Sequence, residues 1–342
     1  MKLLRLLIVF LVLLPFGVQA EQTFKIATLA PDGSSWMNDI RAAADEIAAR
    51  TEGRVSFRFY PGGVMGNDQS VLRKVRIGQL HGAAFTGGGL ASIYPGLKVY
   101  GMPFLFRDLD EVDYLRKHMD PLLQKELEAA GFVNFGFAEG GFAKIMSLEP
   151  VRNTEDLSDE KAWIPEGDDV SYRVIEALGL SPVSMPITDV LTGLQTGLIS
   201  VVGASPLGAI AFQWHTRVNF MTDAPLAYLL GVMAIDKRAF DRISEADQAI
   251  VREEMGKLYD ELDVKNRKDN LDAHAALEQQ GVEFVQPERD VLADWRSTAK
   301  RVNREMAEKD ELPVELVDQA YRLLDEYRNG SGNDNDRGNN AP

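Results

Sequence analysis

Residues 161–205 read KAWIPEGDDVSYRVIEALGLSPVSMPITDVLTGLQTGLISVVGAS, and their alternation of apolar runs with helix-period segments decides the fold class. The periodicity predicts a strand at 162–165, a helix at 168–178, a strand at 182–185, a helix at 188–196 and a strand at 198–203. This is a βαβαβ unit, so the chain reads as α/β. In the first helix Val170, Val174 and Leu178 share one side, Ile175 widens it, and Gly179 supplies the stop. In the second, Thr188 is the expected N-cap, Val190, Leu191 and Leu194 face the sheet, and Gly197 ends the helix. Ligands of open α/β sheets gather beyond the carboxyl ends of the strands. The informative residues are therefore 163–165, 185–187 and 204–206, and almost all are uncharged.

Motifs around this unit add a specific resemblance. A Thr-Glu-Asp-Leu lead-in at 154–157, a Lys-x-x-x-Pro strand at 161–165, a Gly-x-x-Pro-x-x-x-Pro stretch and Leu-Gln-Thr-Gly at 194–197 stand in order. Upstream lie Tyr-Pro-Gly-Gly-Val-Met-Gly-Asn-Asp at 60–68 and Tyr-Gly-Met-Pro-Phe-Leu-Phe at 100–106. This pattern resembles the periplasmic substrate-binding proteins of TRAP transporters (DctP-like) over about residues 23–328. The resemblance implies a two-lobed periplasmic binding protein fold, a hinge of two connecting strands and a long helix across both lobes. It also implies small and large membrane permease subunits as partners.

Length and composition agree with that expectation. At 342 residues the chain exceeds what one hydrophobic core serves. Lys2 and Arg5 precede an apolar run at 6–14 and then Val18-Gln19-Ala20, so residues 1–20 read as a cleavable secretory signal and the mature protein as periplasmic. The run falls short of the ~20 residues that span a bilayer. There is no cysteine, which excludes a lipidated N-terminal Cys, thiol catalysis, thiolate metal sites and disulfides. Without residues 1–20, 35 Lys and Arg face 52 acids, a balance of about −17 that argues against nucleic acid as a partner and favours a monomeric carrier.

Along the chain, 23–29 and 55–60 read as strands around a helix at 36–50 whose narrow stripe is Ile40, Ala43, Ala44, Ile47 and Ala48. Asn67 or Asp68 caps a helix carrying Val71, Leu72, Val75 and Ile77. A strand at 80–85 leads into Thr86 and three glycines, but the Lys-Ser/Thr ending of a phosphate-binding loop is absent. Residues 95–106 read as an apolar loop, 108–130 as a helix, 132–138 as a strand and 139–147 as the crossing into the second lobe. Residues 212–222 lead back to a strand at 227–236, and helical spacing from Ser244 to about residue 280 predicts a spine. A strand at 282–285 and helices at 289–308 and 313–327 follow, and no internal repeat is evident. Lobe I is expected at 21–143 plus about 224–262, and lobe II with the spanning helices at 144–223 plus about 263–328. The polar, glycine-rich tail 329–342 is expected to stay disordered.

The cleft is where this chain departs from the family. The resemblance implies a carboxylate-gripping arginine on the strand 161–165, and Trp163 stands in its place; the position of a second arginine holds Ala143. A usually aromatic position falls at Ile187, the polar tip of the first strand near Leu29, the acid after the third strand near Thr86, and a polar segment at 200–205, ending in Ser205. All these changes run from charged or polar to apolar or neutral. A carboxylate buried without a partner costs several kcal/mol, whereas an apolar ligand gains roughly 25 cal/mol per Å². The expectation is a divergent, arginine-less receptor for a hydrophobic or amphipathic molecule, lined by residues drawn from Trp163, Phe142, Met185, Ile187, Trp36 and Trp214. The arginine-less branch it resembles implies a helical-repeat companion protein. Lys144 is the other cation near the crossing, but strand alternation turns it away from the face of Ala143.

Two other classes stand beside this reading: a conventional organic-acid receptor with its cation elsewhere, and an interaction or sensory module with no transported ligand. Enzymatic readings are weak. His81, His118, His215 and His274 have no metal-ligand spacing, Ser205-Pro206 lacks the frame of a nucleophile elbow, and Asp168-Asp169 is explained by a helix start. No cofactor or metal is expected.

Overall fold

The structure is a computed structural model that describes residues 21–337; the expected signal segment 1–20 and residues 338–342 lie outside the described residues. In order, the elements are β1 (Gln22–Thr28), α1 (Ser35–Arg50), β2 (Val55–Tyr60), α2 (Asp68–Arg76), β3 (Gly82–Thr86), α3 (Leu109–Ala129), β4 (Phe132–Asn134) and β5 (Ala138–Ser147). Then come β6 (Lys161–Pro165), α4 (Asp169–Ala177), β7 (Ser181–Met185), α5 (Val190–Thr196), β8 (Val201–Ala204), α6 (Pro206–Ala211) and β9 (Phe220–Asp236). The chain finishes with α7 (Lys237–Phe240), α8 (Glu245–Gln279), β10 (Glu283–Val285), α9 (Arg289–Glu308) and α10 (Val314–Arg337). Among the described residues no helix is long and apolar enough to cross a membrane.

The strands join in the order β2-β1-β3-β9-β5-β8-β6-β7, with β4 and β10 also pairing to β9. Parallel β2, β1 and β3 form one lobe's sheet, and the βαβαβ unit forms the other's, where β6 pairs in parallel with both β7 and β8. Two strands serve both halves. β9 pairs antiparallel with β3, β5 pairs antiparallel with β8, and β5 and β9 pair with each other, with register shifts between Glu139 and Gly141 and between Ala143 and Ile145. A bulge re-aims the strand and strengthens its twist. Gly141 has φ 83°, and a Cβ there would lie 2.9 Å from Asn270 Nδ2, so the crossing strand runs hard against α8.

The 35-residue α8 is the expected spine. Lys265 Nζ lies 2.6 Å from Asp39 of α1, Asn266 Nδ2 donates to the Glu139 carbonyl oxygen of β5 at 2.7 Å, and Asn270 Oδ1 accepts from the Leu207 amide of α6 at 3.2 Å. One helix therefore holds elements of both halves. At its centre Arg116 of α3 donates to Asp263, to Tyr228 Oη and to the Phe137 carbonyl oxygen at 2.6, 3.0 and 2.9 Å. Apolar packing follows the same plan, with one core around Phe24, Ile40 and Phe240, one around Trp163, Trp214 and Met221, and a large continuous one running from Phe85 and Tyr228 to Ile164 and Trp295.

Several local expectations change. Thr188 does not cap α5: it sits within a 3-10 turn, Ile187–Asp189, and the cap position Asp189 makes no side-chain cap bond. Of the expected return crossing 212–222, Trp214–Arg217 forms a 3-10 turn, and 220–222 run on into the following apolar strand as one continuous strand, β9. The apolar loop 95–106 opens with a 3-10 turn, Pro95–Val99, and packs inward, with Leu97, Val99, Tyr100, Met102 and Phe104 to Phe106 buried. Helix α10 continues to Arg337, into the stretch expected to be unstructured, because each residue added to a formed helix gains a backbone bond without a new nucleus.

Candidate functional site

A cavity of about 780 Å³ lies between the two halves. One wall comes from the ends of β6 and β8 and the turns after β7 and β8. Trp163, Ile187, Ser205 and Trp214 line it, with Ala143 of β5 beneath. Trp163 is only 7% exposed. Its Nε1 donates to the Met185 carbonyl oxygen at 3.0 Å, and its ring meets Trp214 edge-on at 5.1 Å between centroids. Phe212 stacks on Trp214 at 5.4 Å and also lines the cavity. Ser205 caps α6, its Oγ accepting from the Gly208 amide at 3.2 Å.

The opposite wall is mixed: Leu29, Leu72, Leu97 and Thr86 line it. So do Asp68, Arg73 and Arg76 of α2, Gln69, and Lys98 from a 3-10 turn, Pro95–Val99. Asp68 Oδ2 accepts from Thr86 Oγ1 at 2.7 Å and from the Thr86 amide at 3.2 Å, and Gly89 donates its amide to Thr86 Oγ1 at 3.0 Å. A Cβ at Gly89 would sit 2.1 Å from Asp68 Oδ2, so the glycine loop is built to approach this carboxylate. Burial pushes the Asp68 carboxyl above its ordinary value of 3.8, against the pull of the Thr86 bonds. Burial does the same to Asp168, which also lines the cavity and caps α4.

The halves touch at the rim. Asn67 Nδ2 donates to Glu166 Oε2, Lys98 Nζ stands 4.0 Å from Asp169 Oδ2, and a Cβ built on Gly63 would meet Thr188 Cγ2 at 2.8 Å. The cleft is thus closed around its cavity.

Three expected lining residues lie elsewhere. Phe142 projects to the other face of β5, into a second cavity of about 440 Å³ with Lys144, Arg107 and Asp223; period-two alternation forbids it from sharing a face with Ala143. Met185 is buried in the core behind Trp163 and offers that indole only its carbonyl. Trp36, at the start of α1, packs on the core around Phe24. Lys144 is ion-paired with Asp223 and, as alternation predicts, faces away from the main cavity.

The expectation of a cleft without positive charge is also corrected, because α2 and the Pro95–Val99 turn bring Arg73, Arg76 and Lys98 to the cavity from the far wall. Reading strand ends of one half missed them. Lys98 did leave a signal, being the single charged residue among 95–106. Phe212 was legible as an aromatic two residues before Trp214.

Comparisons with known proteins agree with this architecture. A 2,3-diketo-L-gulonate-binding periplasmic protein of Escherichia coli, YiaO, is 25% identical over 253 residues, 70% of this chain and 74% of its own length. A TRAP periplasmic solute-binding protein from Xanthobacter autotrophicus, solved with bound β-D-galacturonate, superposes with a TM-score of 0.80 at 20% identity, covering 88% of this chain and 99% of that one. Another, from Haemophilus influenzae with bound L-gulonate, gives 0.82 at 17% identity over 89% and 100%. The profile of "Bacterial extracellular solute-binding protein, family 7" matches residues 26–310. With the two sheets, crossing strands, spine helix and interlobe cavity in place, the chain belongs to that family of TRAP-type solute-binding proteins.

Proposed function

We propose that this protein is the extracytoplasmic receptor of a TRAP-type transporter and captures a small organic acid with an apolar side, presenting it to the membrane permease subunits. The observation that carries this reading is the two-sided cavity: the Trp163, Trp214 and Phe212 rings on one wall, Lys98 with Arg73 and Arg76 on the other. An apolar ligand would leave Lys98, with its side chain 18% exposed and its nearest carboxylate at 4.0 Å, unanswered, and a poorly paired charge facing a desolvated ligand is costly. The solved relatives carry galacturonate, gulonate, glucuronate and succinate, which favours an acid here. The aromatic wall selects acids with a carbon face to lay against it. Capture proceeds by closure of the lobes about β5 and β9, driven by the ligand's greater affinity for the closed state.

A thermal-shift and calorimetry panel of D-galacturonate, D-glucuronate, L-gulonate and succinate, with galactose and a long-chain alcohol as neutral controls, tests this. At least one acid is expected to bind one-to-one and raise the melting temperature by about 3–5 °C at a hundredfold excess over Kd. Binding by the alcohol alone would return the ligand to the hydrophobic class.

A further inference from the structure

We propose that Lys98 is the carboxylate anchor of this cavity, supplied by the wall opposite the one on which Trp163 and Ala143 stand, and that Asp169 is the counter-ion the ligand displaces. The inference rests on the organic-acid reading above and names the residue that would carry it. Three cations line the cavity. Arg73 and Arg76 are exposed, and Arg73 donates to Ser70 Oγ at 2.8 Å. Lys98 differs in being largely desolvated: its side chain is only 18% exposed, and its ammonium makes no hydrogen bond to any described residue. Its nearest carboxylate, Asp169 Oδ2, stands at 4.0 Å and belongs to a side chain that is 75% exposed. An ammonium has three donors to satisfy, and Lys98 lines the cavity.

The backbone explains why this lysine is held there. Pro95 opens the 3-10 turn, and Leu97 and Val99, on either side of Lys98, are buried. The stem is therefore fixed while the ammonium is left at the cavity wall. Asp169 and the cap residue Asp168 of α4 lie across the cleft from it, both on the second lobe. In the closed protein Lys98 thus meets the acids of α4 at long range. A ligand carboxylate at hydrogen-bond distance would accept from one or two of these donors at the expense of that weak contact, and charge-assisted bonds are the stronger kind. Asp168 and Asp169 oppose an anion there, so an acid carrying a hydroxyl or ammonium donor toward them binds better than a bare dicarboxylate.

Calorimetry of the full chain with D-glucuronate, D-galacturonate, L-gulonate and succinate reads the proposal directly in Lys98→Met, Lys98→Arg, Lys161→Met and Asp169→Asn. For the acid that binds wild type best, Lys98→Met is expected to weaken binding about 30-fold or more. Lys98→Arg should recover most of it, Lys161→Met, at an exposed lysine at the start of β6 outside the cavity, should change it less than about 3-fold, and Asp169→Asn should tighten it. A structural role for Lys98 would not produce an opposite sign at Asp169. Wild-type binding that survives Lys98→Met within about 3-fold, in a variant of unchanged melting temperature, overturns the anchor and leaves the acid reading standing. Failure of wild type to bind any of the four acids overturns both.

Discussion

The indole of Trp163 donates its Nε1 proton to the Met185 carbonyl oxygen at 3.0 Å, tying the carboxyl end of β6 to that of β7 beneath the cavity. The ring is thereby both core and cavity wall. Trp163→Phe keeps most of the apolar body and loses the bond, so it is expected to cost about 1–2 kcal/mol in urea unfolding. Trp163→Ala, which also empties the site against Trp214, is expected to cost about 3–5 kcal/mol. If instead Trp163→Ala unfolds like wild type, the indole is no part of the lobe core.

The rim contact between the lobes has no room in it. Gly63 has φ 71°, and a Cβ there would meet Thr188 Cγ2 at 2.8 Å across the cleft. Gly63→Ala is therefore expected to prop the rim open and weaken ligand binding, with a faster ligand off-rate in stopped flow. Removing the opposing methyl by Thr188→Ser should restore part of the loss. Equal affinity in Gly63→Ala and wild type would show that the rim contact does not limit closure.

Arg116 holds the crossing strands to the spine through Asp263, Tyr228 and the Phe137 carbonyl, with Asp120 at 3.0 Å on its other side. Replacing it by Met leaves the half-buried carboxylates of Asp263 and Asp120 without their cation, and the expected loss is about 3 kcal/mol, the low end for a buried pair. A denaturation midpoint within error of wild type would refute that role.

Much of this architecture was legible in the residues. The apolar runs ending at Pro165, Met185 and Ala204 marked strand ends, and because ligands gather there, Trp163, Ile187 and Ser205 fall on the cavity wall. The failures have physical causes. Phe142 and Ala143 are neighbours on one strand and cannot both face the cavity, and Trp36 sits on a helix whose inward face belongs to another core. Arg73 and Arg76 reach the site only through the docking of one lobe on the other, which no local pattern encodes, and Lys98 shows locally only as the one charge in an apolar stretch.

Acid titration gives a further test. Burial holds the Asp68 carboxyl above 3.8, so between that value and its folded pKa the native state binds more protons than the unfolded chain. Stability from this group is therefore present below 3.8 and is lost as pH rises through the folded value. Asp68→Asn is expected to flatten this segment of the stability profile and to gain relative to wild type at neutral pH. A stability difference between the two proteins that does not vary with pH would contradict the burial of this carboxyl.

An acid held in the cavity between the aromatic rings and Lys98 should survive purification without denaturation. Native mass spectrometry, with the released molecule analysed after unfolding, is expected to show a one-to-one adduct of a few hundred daltons or less, released as a small carboxylic acid. A neutral, lipid-like species in its place, with no acid recovered, would overturn the organic-acid reading.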